Sequence, residues 1–274
     1  MKGVVGLPIK AKNQQVVTDE YGHNIKNITG VAGGHRTIFH NQVHSVMANS
    51  IYNAGIDILG KPPQTCANVF NDIINLNVDH TTEEGRIIQG IVPDMVIKDN
   101  HGQCHDHENP KTMYDNLDTL LDVKTLGPGQ CYAKNWQQQP VEARQNQVNT
   151  EYYRHARELD TKYRTNGKVA NRLKTYGKDG TVGGLVCGAF GECSSHMHQL
   201  ATFVSKHQTA IQTSGLSEDE ARYLRAKNER SIKNLWGLTI HREWARLLIG
   251  RTALLVRKEL ITEDIIGDED DLNT

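Results

Sequence analysis

Hydrophobic periodicity predicts an alternation of helices and strands over most of the chain. Apolar residues recur at three- or four-residue steps over 37–55 and again over 141–163, a spacing typical of amphipathic helices. Two short apolar runs between them, 90–98 and 119–126, are rich in branched side chains and predict strands. A further apolar run at 182–187 predicts another strand. This mixture of elements indicates an α/β (α+β) fold.

The C-terminal third of the chain has a helical pattern. A helix is predicted from about residue 195 to 208, and Ser217-Glu218-Asp219-Glu220 matches a capping box that opens another helix. From residue 239, apolar side chains again recur with helical spacing. We therefore predict an irregular or hairpin-forming lead-in at 1–35, a core at 36–210, an appended C-terminal helical lobe at 211–258 and an acidic tail at 259–274.

Charged residues interrupt the two central apolar runs. The first run contains Pro93-Asp94 and the second contains Asp122-Val123-Lys124. Because side chains alternate between the faces of a strand, Asp122 and Lys124 point to one face and Val123 to the other. A carboxylate is costly to bury without a partner, and a divalent metal ion would supply one. The strands are therefore predicted to carry a metal site.

This combination resembles the signature of the restriction-endonuclease-like PD-(D/E)XK nuclease superfamily: Pro-Asp, a variable spacer, then Asp or Glu, any residue and Lys. The resemblance covers about residues 36–190 and extends faintly to members found in mobile genetic elements. It implies a mixed central sheet flanked by helices and a Mg²⁺- or Mn²⁺-dependent hydrolysis of phosphodiester bonds. It also implies that Asp94, Asp122 and the Val123 carbonyl hold the ion and that Lys124 acts on the attacking water.

A second Asp-x-Lys, Asp160-Thr161-Lys162, lies in the helical pattern of 141–163. Residues two apart on a helix diverge, so this copy is not expected to converge on an ion. The same helix carries Gln147 and Tyr152, which resemble a Gln and Tyr that complete the site in branches of the superfamily. Gln145 falls inside the apolar stripe of this helix and Gln147 beside it.

The predicted helix at 37–55 carries a row of Arg36, His40 and His44 beside its apolar stripe. In the superfamily this helix often contributes an acidic metal ligand, whereas here it offers histidines. His40 is a candidate site residue on this argument. The alternative is that these histidines lie ordinarily at the boundary of the core.

Positive charge is concentrated in one part of the chain although the net charge is only −1. Residues 1–121 have 9 basic and 13 acidic side chains (−4), residues 122–258 have 22 and 12 (+10), and residues 259–274 have none and 7 (−7). Such a basic region predicts binding to a phosphate backbone, with DNA favoured over RNA. A mixed charged surface on solvated helices is the alternative. The candidate nucleic-acid contacts are Lys162, Arg164, Lys168, Arg172, Lys174 and Lys178.

Composition indicates where in the cell the protein is expected to lie. No apolar stretch reaches the roughly 20 residues that a bilayer requires, and the N-terminal residues do not match a signal peptide. Five cysteines at irregular spacings predict reduced thiols and an intracellular protein. The spacing Cys187-x5-Cys193-x2-His196-x-His198 does not favour zinc, so we interpret it as a strand, a turn and a helix capped by Ser194 or Ser195.

Two other functions remain open on the sequence. A non-catalytic nucleic-acid-binding or assembly protein could retain a nuclease-like fold, as the basic region and the histidines of the first helix would allow. A structural protein without a nucleic-acid role is the third possibility. Metal-dependent cleavage separates a nuclease from both, and salt-dependent binding separates the other two.

Overall fold

The computed structural model describes residues 9–10, 16–18, 35–64, 66, 70, 72–73, 91–98, 113–114, 118–126, 140–188, 191–213 and 215–257. In chain order its elements are β1 (Ile9–Lys10), β2 (Val16–Thr18), α1 (His35–Asn53), β3 (Ile58–Leu59), β4 (Met95–Ile97), β5 (Thr119–Thr125), α2 (Pro140–Tyr163), α3 (Lys168–Leu173), β6 (Gly183–Cys187), α4 (Ser195–Gln212) and α5 (Glu218–Arg257).

Within these residues, the central sheet has the strand order β3-β4-β5-β6. β4 is antiparallel to β3 and to β5, whereas β5 and β6 run parallel. The predicted mixed sheet flanked by helices is therefore confirmed. In the register, Met95 lies opposite Leu121, and Asp122 lies beside Gly184.

The two faces of the sheet pack against different helices. Leu121 and Val123 of β5 belong to a core cluster with apolar residues of α1, α4 and α5. Leu120, on the other face, belongs to a second cluster with residues of α2 and α3. Because both faces are buried, the strands are continuously apolar, as in the predicted runs. The even-numbered Asp122 consequently points toward the α2 side of the sheet.

The long helix α5 is part of this core. Trp236, Ile240 and Leu247 are buried in the same cluster as residues of α1 and α4, and Trp236 Nε1 donates a hydrogen bond to Ser50 Oγ (3.0 Å). The capping box at Ser217 forms as predicted, since its N–H donates to the Glu220 carboxylate (2.8 Å). The sequence predicted an appended helical lobe at 211–258. In the structure, the apolar stripe of α5 packs against α1 and α4, so this helix shares the main core.

Helix α2 approaches the sheet closely at β6. A Cβ added to Gly184 would lie 3.0 Å from the Gln145 carbonyl oxygen and 3.2 Å from its Cα atom. On the neighbouring residue, a Cβ added to Gly183 would lie 2.6 Å from Leu121 Cδ2. Any side chain larger than hydrogen would therefore separate β6 from its neighbours.

Two predicted regions lie largely or wholly outside the described residues. Of the lead-in at 1–35, the described part includes β1 and β2, which pair antiparallel. The acidic tail at 259–274 lies outside them entirely. A bilayer crossing would need a longer apolar stretch than any helix among the described residues provides.

Candidate active site

Asp94 and Asp122 face each other at the end of β4. Continuing the register from Met95 and Leu121 places Asp94 directly opposite Asp122. The Val123 N–H donates to Asp94 Oδ2 (2.6 Å), so the N–H and C=O of Val123 point toward β4 and those of Asp122 point away. The two residues are therefore not joined by ladder hydrogen bonds, and their carboxylates lie close enough to interact electrostatically.

Pro93 gives this edge of the sheet an open acceptor position. The same register places Pro93 opposite Val123, where a ladder bond would need an N–H donor. Proline has no N–H, so it cannot bond to the Val123 carbonyl. Two carboxylates and this backbone carbonyl are therefore the candidate oxygen ligands at this edge. The proline of the motif has a physical role here, because it ends the ladder beside the acids.

Lys124 and Tyr152 both lie beside Asp122. Lys124 Nζ lies 2.7 Å from Asp122 Oδ2, and the Tyr152 side chain lies close enough to interact electrostatically with the same carboxylate. Tyr152 comes from α2, which packs on this face of the sheet. Asp122 itself is only 6% exposed. The lysine ammonium thus partly neutralises a buried acid, and the tyrosine borders it.

The two acids titrate in opposite directions. Burial, opposed by Lys124 and assisted by the charge of Asp94, raises the pKa of Asp122 to about 6. Burial alone would raise the pKa of Asp94 as well, but the hydrogen bond and charge of His40, the Val123 N–H and Lys124 outweigh it and lower that pKa. Asp122 is therefore the member of the pair that takes up a proton first as the pH falls.

No family model, curated protein or solved structure matches the chain. The chemistry of the site therefore depends on the geometry of its own residues.

The α1 histidines lie beside Asp94. His40 Nε2 is 3.2 Å from Asp94 Oδ2, and this hydrogen bond raises the pKa of His40 above its ordinary value. Burial lowers the pKa of His44, one helical turn further along. The Nε2 atom of His44 has no hydrogen-bond partner among the described residues. The four-residue row predicted on α1 therefore brings one histidine into contact with the acid pair.

Gln147 is not brought to the acids. It is exposed on α2 and lies about 140° around the helix from Tyr152, at roughly 100° per residue. Gln147 therefore points away from Tyr152. Gln145, seven residues before Tyr152, lies on the same side of the helix as the tyrosine and is buried. Gln145 Oε1 accepts a hydrogen bond from the His196 N–H (2.8 Å), so it fixes the start of α4 instead.

A second contact that the sequence analysis missed involves Glu142. Its carboxylate accepts hydrogen bonds from the Ser195 N–H (2.6 Å) and Oγ (2.9 Å). Glu142 thereby satisfies an unpaired N–H group at the start of α4. An acid in the first turn of one helix gave no local signal that it would cap another. This contact and that of Gln145 join α2 to α4 across the end of β6.

The six candidate nucleic-acid contacts are all exposed, in and around α3. This segment lies near the N-terminal end of β5, since the Gly177 N–H donates to the Asp118 carbonyl (2.7 Å). Arg172 also forms an exposed ion pair with Asp72 (3.4 Å). The set, as defined by the sequence, is Lys162, Arg164, Lys168, Arg172, Lys174 and Lys178.

The donor set suits a hard divalent cation that keeps several waters. Among the described residues, no group of three or more His, Cys, Asp or Glu side chains is arranged to hold a metal ion. Two carboxylates and a carbonyl nevertheless suffice for Mg²⁺, which usually binds through one or two carboxylates and water. Burial, assisted by the charge of Asp94, raises the pKa of Asp122, and a bound cation would offset both effects.

Proposed function

We propose that the protein is a metal-dependent nuclease that hydrolyses phosphodiester bonds in nucleic acid, with DNA as the expected substrate. The observation that carries the proposal is the pairing of Asp94 and Asp122 across adjacent strands, with Lys124 Nζ 2.7 Å from Asp122 Oδ2. Facing acids with an adjacent lysine on a buried sheet are costly for folding and are useful at a phosphoryl-transfer site.

Asp94, Asp122 and the Val123 carbonyl would hold Mg²⁺ or Mn²⁺. When bound, such an ion stabilises negative charge on the transferring phosphoryl group and lowers the pKa of a coordinated water. The protein supplies the shape of the site. His40 and the Val123 N–H hold Asp94 in a fixed orientation, and Lys124 and Tyr152 lie beside the Asp122 carboxylate.

Lys124 is the group that acts on the reacting atoms. Its ammonium is about one third exposed and anchored to Asp122, so it can reach a phosphate at the surface of the site. There it orients the attacking water and balances the charge that develops on the phosphoryl oxygens. The basic residues near α3 would bind the phosphate backbone further along the substrate.

Lys124→Ala tests the proposal most directly. We expect this variant to lose cleavage of plasmid and single-stranded DNA with Mg²⁺ or Mn²⁺, while calorimetric metal binding and DNA affinity stay near those of the wild type. Asp122→Ala should lose metal binding as well. Asp160→Asn, in the helical copy of the same tripeptide, is the matched control and should remain active. A Lys124→Ala variant as active as the wild type would refute the mechanism.

A non-catalytic nucleic-acid-binding protein is the second candidate. The observation that favours it is the α1 face beside Asp94, which offers His40 where a nuclease of this superfamily often has an acid. Wild-type protein that cuts nothing with either metal, yet binds DNA with an affinity that falls steeply with salt, would establish this function instead.

A further inference from the structure

Cys187 and Cys193 are partners in an antiparallel pairing at the end of β6. Cys187 is the last residue of the strand and is fully buried. After it the chain turns back, and Cys193 pairs with it through an isolated bridge. Gly191, with φ of +84°, allows the chain to reverse within this turn. Neither cysteine is in a disulfide in this structure, and Cys193 is partly exposed.

Hydrogen bonds flank this pair rather than join it. They run from the Gly188 N–H to the Glu192 carbonyl (2.8 Å) and from the Ser194 N–H to the Val186 carbonyl (2.9 Å). The two cysteines are therefore a non-hydrogen-bonded pair, with an expected Cα separation of about 4.5 Å. Side chains of directly opposed residues lie on the same face. Disulfides span Cα separations of about 4.4–6.8 Å, so this position permits one.

In the reduced protein the two thiols make separate weak contacts. Cys187 Sγ lies 3.7 Å from the Lys124 carbonyl oxygen, and Cys193 Sγ lies 3.6 Å from the Gly191 carbonyl oxygen. A change in rotamer could bring the two sulfurs together without moving the strands.

We propose that Cys187 and Cys193 form a reversible disulfide with low-molecular-weight disulfides such as oxidised glutathione as the oxidant. The partly exposed Cys193 thiolate attacks one glutathione sulfur, the glutathione S–S bond breaks, and one glutathione leaves as a thiol. Cys187 then attacks Cys193 Sγ, and the second glutathione leaves. Two protein thiols are oxidised, one glutathione disulfide is reduced, and the two thiol protons end on the two glutathiones.

The crosslink would join the turn before α4 to the strand that lies beside Lys124. Oxidation would also break the contact between the Cys187 thiol and the Lys124 carbonyl oxygen. Formation of the disulfide would therefore change a contact to the backbone of the candidate catalytic lysine. Disulfide formation itself does not depend on the proposed nuclease activity. It follows from the pairing of the two residues alone.

Peptide mapping of the oxidised full-length chain tests the proposal. Burial raises the pKa of the Cys193 thiol to about 11, so the reaction is slow at neutral pH and is followed over hours at pH 8.5. We expect an intact mass lower by two hydrogens and a single linked peptide that joins Cys187 to Cys193. Excess dithiothreitol should restore the original mass. A map that links either cysteine to Cys66, Cys104 or Cys131, or that shows no linked peptide, overturns the proposal.

Single substitutions give an independent readout. In Cys187→Ala the intermediate cannot be resolved, so Cys193 should accumulate one glutathionyl group. In Cys193→Ser the buried Cys187 should stay unmodified under the same conditions. The matched control, Cys66→Ser, should form the crosslink as the wild type does. Equal glutathionylation of Cys187 and Cys193 in the two variants would contradict the proposed order of attack, and a crosslink-free Cys66→Ser variant would contradict the pairing.

Discussion

Replacing Asp122 with asparagine should stabilise the metal-free protein at neutral pH, although it removes a candidate catalytic group. The wild-type side chain places a carboxylate in a buried site, 6% exposed, opposite the charge of Asp94. Asparagine has the same shape and no charge. Its carbonyl oxygen can accept a hydrogen bond from a neighbouring donor such as Lys124, and its amide can donate to Asp94. The polar contacts of the site are thus kept while the charge repulsion is removed.

The size of the effect follows from the pKa of Asp122. Burial first, with the charge of Asp94, raises that pKa from 3.8 to about 6, and one unit corresponds to about 1.4 kcal/mol. The gain above pH 6 is therefore at most about 3 kcal/mol, and the Lys124 ion pair needs no further subtraction because its effect is already part of this shift. Because the folded wild type binds the extra proton between the two pKa values, its stability falls as pH rises from 3.8 to about 6. Below that window the advantage of the variant should vanish.

Urea unfolding with a chelator present, at pH 7.5 and at pH 3.5, measures this difference. Asp179→Asn is the matched control: Asp179 is exposed and has φ of +56°, a conformation that asparagine also tolerates. It should change stability little at either pH. An Asp122→Asn variant that is less stable than the wild type at pH 7.5, or equally shifted at both pH values, would refute the reasoning. Added Mg²⁺ should stabilise the wild type alone.

Three further outcomes are expected. Asp160→Ala should lower the free energy of unfolding by about 1–2 kcal/mol, because the Asp160 carboxylate accepts hydrogen bonds from N–H groups in the first turn of α3. Urea titration measures this loss, and Asp160→Asn should recover part of it. Trp236→Ala should cost about 3–5 kcal/mol in one cooperative transition, whereas two separate thermal transitions would show that α5 is an independent lobe. Replacing Lys168 and Lys174 with Ala should reduce the magnitude of the slope of log DNA affinity against log salt by about 2. Removal of the chain after Lys258 should tighten DNA binding. An unchanged slope and affinity would contradict the role of the basic region.

Helices and strands were predictable where buried apolar residues recur at a regular spacing along the chain. The helix predicted at 141–163 is α2, Pro140–Tyr163, and the strand predicted at 182–187 is β6, Gly183–Cys187. The interpretation of Cys187 to His198 as strand, turn and helix is also confirmed. Ser194 stands at the N-cap position of α4, but its hydroxyl bonds to the Val186 N–H and the Gly184 carbonyl and makes no capping hydrogen bond. The place of α5 in the core was not predictable, because the same apolar stripe would suit a separate bundle or a shared core.

The site was predictable only in part. Alternation places Asp122 and Lys124 on one face, and the contact between them follows from it. The pairing of Asp94 with Asp122 depends on the register of β4 and β5, which the sequence between them does not specify. The misassignment of Gln147 shows a further limit, since a shift of two residues on a helix changes the direction of a side chain by about 200°. Contacts such as that of Glu142 with Ser195 join distant segments and leave no local pattern.

The absence of a side chain at Gly184 sets how closely α2 lies over β6. A methyl group at residue 184 would meet the Gln145 carbonyl oxygen and Cα atom at 3.0–3.2 Å, so the helix would have to move away from the strand by a few tenths of an ångström. Tyr152 lies on the same helix, beside Asp122, and would move with it although neither residue had changed. The glycine therefore helps to set the distance between the α2 side chains and the acid pair.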